Sequence, residues 1–285
     1  MPSLIDIRRR IRSVKSTQQI TRAMKLVSAA KLRRSQDRVL AARPYAAATA
    51  RLLADLARAA RSDERLAHPL LAERPEERIQ LVLITADRGL AGAFNSNLIK
   101  AAQQFLEERG GQRVELELIG RKGRDFFRKR QVRISGEHIG MTEKVTYEYA
   151  AGIARQIMAR FEREEIDAVY LLFNEFKSVM AQRITLSRIL PVELPAATGG
   201  IEFLYEQPPQ ILIGRLLPRY VEIALHHALL ESAAAQQAAR MTAMDAATTN
   251  AAEMIDRLTL YMNRVRQASI TREIIEVVSG AAGVE

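Results

Sequence analysis

A Rossmann-like α/β domain set between two long terminal helices, which pair as an antiparallel coiled coil to form a rod, is the fold this sequence predicts. Three observations lead there. Residues 3 to about 61 and residues from 208 onward carry helical apolar periodicity over unusual lengths. Residues 79–190 switch to short apolar runs separated by helical patterns. The chain of 285 residues is 48% hydrophobic but only 5% aromatic, with no Trp. Its buried area must therefore come from many Ala, Leu and Ile side chains rather than from rings, a composition typical of long helix.

The first helix opens with Ser3 and, three residues on, Asp6, which resembles a capping box. Leu4, Ile7, Ile11 and Val14 follow at alternating spacings of three and four. The stripe turns polar at Gln18 and Thr21 and resumes with Met24 and Val27. Pro44 should kink this helix or leave it locally strained. At 1.5 Å per residue the element is about 85 Å long. The stretch LAHPLLAERPEER carries Pro69 and Pro75 and suits a linker. The expected division is a helix over 1–65, a linker over 66–78, an α/β domain over 79–207, and a helix with an apolar tip over 208–285.

Within the α/β domain, IQLVLIT is continuously apolar, so it suits a strand buried on both faces. VELELIG alternates, DAVYLLF is a third strand and QRITLSRIL a fourth. Helical patterns occupy about 95–108, 121–130 and 144–164. This alternation predicts a largely parallel sheet.

Beyond PPQ at 208–210 lies the strongest periodicity of the chain. It runs through Tyr220, Ile223, His227, Leu230, Ala234, Gln237, Met241, Met244, Thr248, Ala251, Ile255, Leu258, Met262 and Val265 in strict three-four spacing. Only His227, Gln237 and Thr248 are polar, as expected of a coiled-coil seam. The next positions in phase, Ser269 and Arg272, end it. The closing stretch RQASITREIIEVVSGAAGVE is nevertheless apolar at Ile270, Ile274, Ile275, Val277 and Val278. These residues lie on a different stripe and cannot pack on the same partner helix in the same way.

Formal net charge is +10. Residues 1–65 hold 16 Lys/Arg against 5 Asp/Glu, so the whole positive excess lies in the first segment, which should face an acidic partner. The absence of Cys excludes disulfides, thiol nucleophiles and Cys-ligated metals. The four histidines, His68, His138, His226 and His227, lack metal-site spacing and are expected to be structural or surface residues. No apolar run approaches the roughly 20 residues that span a bilayer. The start, MPSLIDIRRRIRSVK, has the Arg-rich amphipathic look of a presequence, but Asp6 interrupts it and the helical pattern runs on, so it is expected to belong to the mature protein.

Three segments invite functional readings. TADRGLAGAFNSN, residues 85–97, follows a strand and precedes a helix, where backbone amides can hold a phosphate. Gly89 and Gly92 do not make GxGxxG and no Walker Lys-Ser/Thr pair is present, so a tight strand-to-helix turn is the expectation. GRKGRDFFRKRQ places Phe126 and Phe127 among basic residues, as some nucleic-acid proteins do, yet equally suits an amphipathic helix with both rings in the core. RRRIR at 8–12 suits a phosphate backbone, the outer face of a coiled coil, or acidic protein loops. No Ser-His-Asp, Cys-His or paired-carboxylate arrangement stands out, so no catalytic centre, metal or cofactor is expected. A basic coiled-coil nucleic-acid binder and a nucleotide-dependent α/β enzyme remain as alternatives at this point, both resting on fold analogy.

The segments IRRRIRSVKSTQQITRAMKLVSAAKLRRSQ, TADRGLAGAFNSNL, AARMTAMDAATTNAAEMI and RQASITREIIEVVSGA resemble the gamma subunit of the F-type ATP synthase, in order and over essentially the whole chain. The resemblance implies a non-catalytic central-stalk rotor. Its coiled coil lies inside a ring of three alpha and three beta subunits, and the beta subunits carry the catalytic nucleotide sites. Its α/β domain meets the epsilon subunit and the membrane c ring, so that proton flow drives ATP synthesis. The resemblance further implies attachment to the cytoplasmic face of the bacterial plasma membrane through the complex, and no nucleic-acid partner.

By motif, the resemblance implies contact with the alpha/beta ring at Arg8, Arg9, Met24 and Lys25 on the first helix. On the last helix it implies Arg266 and Gln267, then Ile270, Ile274 and Val278 of the tip. Arg88 and Ala91 in DRGLAGAFN match a segment near an acidic lever of beta, and Tyr205 with Glu206 in FLYEQ match the foot that meets the c ring. The regulatory cysteine pair of plant chloroplast members is missing, so thiol switching is not expected. Pro218, early in the last helix, departs from the family pattern and bears on where that helix starts. For a turning tip, apolar contact is non-directional and suits a bearing. Hydrogen bonds at Arg266 and Gln267 are directional and suit a catch.

Overall fold

The computed structural model describes residues 3–60, 68–193 and 207–282. Two long helices, α1 (Leu4–Ala60) and α5 (Pro209–Ala282), bracket an α/β region. That region contains β1 (Arg78–Ile84), α2 (Phe94–Glu108), β2 (Arg113–Ile119), α3 (Arg121–Phe127), β3 (Arg133–His138), α4 (Tyr147–Glu162), β4 (Ala168–Phe176) and β5 (Gln182–Leu190). The chain divides into two compact units, Ala29–Arg240 and the two terminal segments up to Ser28 and from Met241.

In the larger unit the five strands run in the order β3-β2-β1-β4-β5. The first four are parallel and β5 returns antiparallel to β4. The predicted parallel α/β sheet is thus present, with one strand more than the four expected. The extra strand, β3, is the edge strand RISGEH, too polar to announce itself. Helix α3 ends at Phe127 rather than near residue 130.

Both faces of the sheet are covered. Leu81, Leu83, Leu116, Leu118 and Leu172 pack with α2, α3 and Ala235 of α5. Val82, Ile84, Ile119, Val169 and Leu171 pack with α4, with Leu53 and Leu56 of α1, and with Ile213, Leu217, Val221 and Leu225 of α5. This double coverage is why IQLVLIT has no polar alternation. In β2 the alternation has another meaning. Glu115 and Glu117 are buried, not solvated. Glu115 pairs with Arg160 at 2.8 Å and Arg133 at 3.0 Å. Glu117 accepts from Gln80 at 2.9 Å and Ser135 at 2.7 Å, and meets His138 at 2.5 Å. Burial pushes the Glu117 carboxyl up, but the bonds from His138, Ser135 and Gln80 outweigh it and hold it below the usual range.

Helix α5 carries two stripes in this unit. Val221 and Leu225 face the sheet, while Ile223, Leu230 and Ala234 continue the seam, so most of residues 221–240 are buried. Buried Glu231 ties the elements together, accepting from Arg43 at 3.1 Å and from the Phe176 amide at 3.0 Å. Pro218 lies nine residues inside the helix, which begins at Pro209.

In the smaller unit the two helices pair antiparallel. Thr21 and Thr248 meet through their hydroxyls at 2.8 Å, and Lys25 reaches Asp245 at 2.5 Å. The expected capping box is formed, with the Asp6 amide donating to Ser3 Oγ at 3.2 Å and Ser3 Oγ donating back to Asp6 at 2.8 Å. Along α1 the seam differs from expectation at one point. Val27 is exposed, and the strict three-four phase runs on through Lys25, Ser28, Leu32, Ser35 and Val39, all buried or half-buried. Pro44 does not end α1, which is helical through it with Pro44 facing solvent. Having no amide, Pro44 forgoes one i→i−4 hydrogen bond in the helix interior, on the exposed face.

All four histidines are engaged in the fold. His68 Nδ1 accepts from the Leu70 amide at 3.2 Å, and burial lowers its pKa. His138 meets Glu117, His226 stands edge-on to Tyr147 at 5.7 Å, and His227 meets Glu231 at 3.3 Å.

Candidate functional site

The turn after β1 lies where the strand order reverses between β1 and β4, the place at which open α/β sheets bind ligands. Here a carboxylate of the chain itself takes the amide donors. Asp87 accepts from the amides of Arg121 at 3.1 Å, Gly140 at 3.0 Å and Thr142 at 3.3 Å, and from the Thr142 hydroxyl at 2.6 Å. Gly120 permits this close approach: its φ is +97°, and a Cβ there would stand 2.2 Å from the Thr85 carbonyl oxygen. The turn is therefore a built structural corner.

Arg88 projects from this corner, 70% exposed in its side chain, and pairs with Glu143 at 2.6 Å. Its carbonyl accepts from Arg240 Nη2 at 3.5 Å. Burial lowers the Arg240 pKa, with Glu143 opposing. Ala91 is buried in the core beneath α2. The exposed apolar residue of the turn is its neighbour Leu90, held at φ 63°. Two of the six cations in segment 120–131 are paired, Arg124 with Asp125 and Arg128 with Glu137, each at 2.6 Å. Phe127 is fully buried as expected, whereas Phe126 is half-buried under Arg130 at 3.3 Å.

In the smaller unit, Arg8 and Arg9 are exposed on α1 beside buried Ile7. Met24 and Lys25 are half-buried at the helix pair. Ile5, Ile20, Leu26 and Val27 are exposed apolar residues of the same helix. On α5, Met262 and Val265 are still half-buried, but Arg266 and Gln267 are exposed and every residue of 270–279 is exposed. Ile274 is 58% and Val277 73% exposed. Tyr205 and Glu206 lie outside the described residues. Among the described residues, no helix is long and apolar enough to cross a membrane.

The arrangement offers two exposed features for other molecules: an apolar helix end, and basic side chains spread along α1. Reasoning from sequence missed the Lys25–Asp245 pair, the exposed set Ile20, Leu26 and Val27, and Leu90. The first two were available as phase: once Leu4 and Ile7 set the register, Lys25 and Ser28 fall in it and Val27 falls out.

A doubly wound α/β unit carried with a long antiparallel helix pair defines the class. The ATP synthase family profile matches residues 3–284. An ATP synthase gamma chain from Solibacter usitatus is 64% identical over 286 residues, covering all of both chains. One from Anaeromyxobacter sp. strain Fw109-5 is 50% identical over 290 residues, again covering both fully. Among solved structures, a chain of the mitochondrial ATP synthase of Euglena gracilis, in its OSCP/F1/c-ring assembly, superposes with a TM-score of 0.69 at 17% identity, over 99% of this chain and 94% of that one. A chain of the central stalk and c ring of the Tetrahymena thermophila enzyme gives 0.62 at 24%, over 80% and 99%. The chain belongs to the ATP synthase gamma-chain family.

Proposed function

We propose that this chain is the central-stalk rotor of a proton-translocating ATP synthase, itself non-catalytic. It turns with a membrane c ring and imposes different states on catalytic sites held by three beta subunits alternating with three alpha subunits. Its other partner is the epsilon subunit. The complex holds it peripherally at the cytoplasmic face of the bacterial plasma membrane. In functional terms the chain divides into a helix over 1–65, a linker over 66–78, an α/β domain over 79–207 and a helix over 208–285. Tyr205 and Glu206 serve as the foot toward the c ring.

The observation that carries this reading is the end of α5, where Ile270, Ile274 and Val278 are exposed on a helix whose own seam has ended. Such a surface is stable in water only at a cost and fits an apolar collar. Apolar contact does not fix rotational angle, so it suits a bearing. Arg266 and Gln267, just before it, suit an angle-dependent catch, and Arg8, Arg9, Lys25 and Arg88 suit acidic loops of the ring. Met24 lies beside them, and Ala91 supports Leu90 from within.

The test is isolation of the tagged chain from its native membranes in mild detergent, with its partners weighed and ATPase assayed. Alpha and beta at three copies each per tagged chain, with ATP hydrolysis, is the expected result. Ile274→Lys with Val278→Lys should slow turnover or impair assembly. Unchanged turnover and assembly would defeat the bearing reading.

A further inference from the structure

Within the larger unit, two buried carboxylates hold helix α5 to its neighbours. Glu222 accepts from the Tyr147 hydroxyl at 2.5 Å and faces Arg155 at 3.6 Å, and both partners belong to α4. Glu231 accepts from the Phe176 amide at the end of β4 at 3.0 Å and from Arg43 of α1 at 3.1 Å. Their other charged neighbours, Arg219 and His227, are on α5 itself. The two glutamates are nine residues apart. That is about two and a half helical turns, so they project from opposite faces of α5.

Between them Leu225, Ala228 and Leu229 pack into the core. Stability alone does not call for carboxylates here, because a buried ion pair is often no better than a well-packed apolar residue. What the carboxylates add is direction. Apolar contact is largely indifferent to angle, whereas a hydrogen bond weakens steeply when it is bent. A clasp on one face would let the helix pivot about it. Clasps on opposite faces are displaced in opposite senses when the helix turns about its own axis, and together they resist that turn as a couple.

We propose that Glu222 and Glu231 are torque clasps, the paired points through which the α/β region and helix α5 turn each other. This role rests on the rotor reading and gives it the residues that carry the load. Tyr147 and Arg155 receive the load on one face of α5; Arg43 and the Phe176 amide receive it on the other.

The test uses the complex of this chain with its alpha and beta subunits. The ring is fixed to a surface, and a bead is attached at Glu107→Cys, an exposed position of α2 in a chain that has no other cysteine. With the ring stalled by a non-hydrolysable nucleotide, the angular variance of the bead reads the compliance of the shaft. Glu222→Gln combined with Glu231→Gln should raise that variance about twofold, and either change alone should raise it less. ATP hydrolysis without load should stay near the parent rate. Close packing also resists turning. Leu225→Ala loosens the packing between the clasps and should leave the variance near the parent value, which a general weakening of the fold would not. Tyr147→Phe and Arg43→Gln each remove one partner group, at a half-buried and an exposed position, and should each raise the variance. They keep the test decisive if the glutamate variants do not assemble. Unchanged variance in the clasp variants, or an equal rise with Leu225→Ala, would overturn the clasps while leaving the rotor reading intact. A parent bead that does not turn with ATP would overturn the rotor reading and the clasps with it.

Discussion

Two stretches of helix α5 are comparably apolar, the first through Ala, Leu, Ile and Val and the second through Ile and Val, and have opposite fates. Most of residues 221–240 are buried, facing both the sheet and α1, while all of residues 270–279 are exposed. The difference is not one of hydrophobicity. In the first stretch the chain supplies the partner surfaces itself; in the second none of the described residues does. On the proposed rotor reading such a face is covered only in the assembly, and stability of the isolated chain should be blind to it.

That comparison is most sharply broken by truncating one side chain in each stretch. Leu225→Ala removes a fully buried side chain from the core between sheet and helices. It should cost about 2–5 kcal/mol in denaturant unfolding. Ile274→Ala should fall within about 0.5 kcal/mol of the parent, while weakening assembly with the alpha and beta subunits. A loss at Ile274 comparable to that at Leu225 would mean that the tip has a partner within the chain.

The next effect lies in the polar part of the larger unit. A Cβ at Gly136 would stand 2.1 Å from Glu117 Oε1. That carboxylate is held by His138, Ser135 and Gln80, so it cannot swing away without leaving buried groups unpaired. Gly136→Ala should cost about 1–3 kcal/mol, read from the urea midpoint. If it is silent, the cluster is not a fixed part of the fold.

The same cluster gives a pH signature. The folded pKa of Glu117 is depressed. Its stabilising contribution is therefore full above the unfolded pKa, the ordinary glutamate value of about 4.5, and is lost as pH falls through the folded pKa. Glu117→Gln should flatten the acid limb of the stability curve in that window. The tip variants, which touch no shifted group, should leave that limb unchanged.

These elements differ in how far they could be read from sequence. Strands β1, β2, β4 and β5 and the α5 seam were legible because burial on a repeating face leaves a period. Edge strand β3 was not, since half-exposed residues around a glycine carry little apolar signal. Along α1, apolarity pointed to Val27 whereas phase pointed to Ser28, and the buried residue is Ser28. A helix axis keeps its phase even where small polar residues occupy the seam. The tip was legible as apolar residues off the seam. Asp87 as organiser of its corner was not, because its partners come from two later segments, Arg121 at the start of α3 and Gly140 and Thr142 in the loop that enters α4. Ala91 looked like part of a contact motif, but its methyl serves the core and leaves Leu90 outside.

The smallest effect concerns Lys25, which occupies a position in phase with the seam although it is charged. Its Nζ meets Asp245 at 2.5 Å, with the two side chains 38% and 55% exposed. At that exposure solvent screens the pair, and a double-mutant cycle of Lys25→Ala and Asp245→Ala should give a coupling of about 0–1 kcal/mol that shrinks in salt. The pair would then matter little to the isolated chain, as the tip does, leaving Lys25 available to acidic groups of another subunit. A coupling above about 1.5 kcal/mol that persists at 1 M salt would place Lys25 with the internally satisfied residues instead. It would also remove Lys25 from the surface offered to the ring.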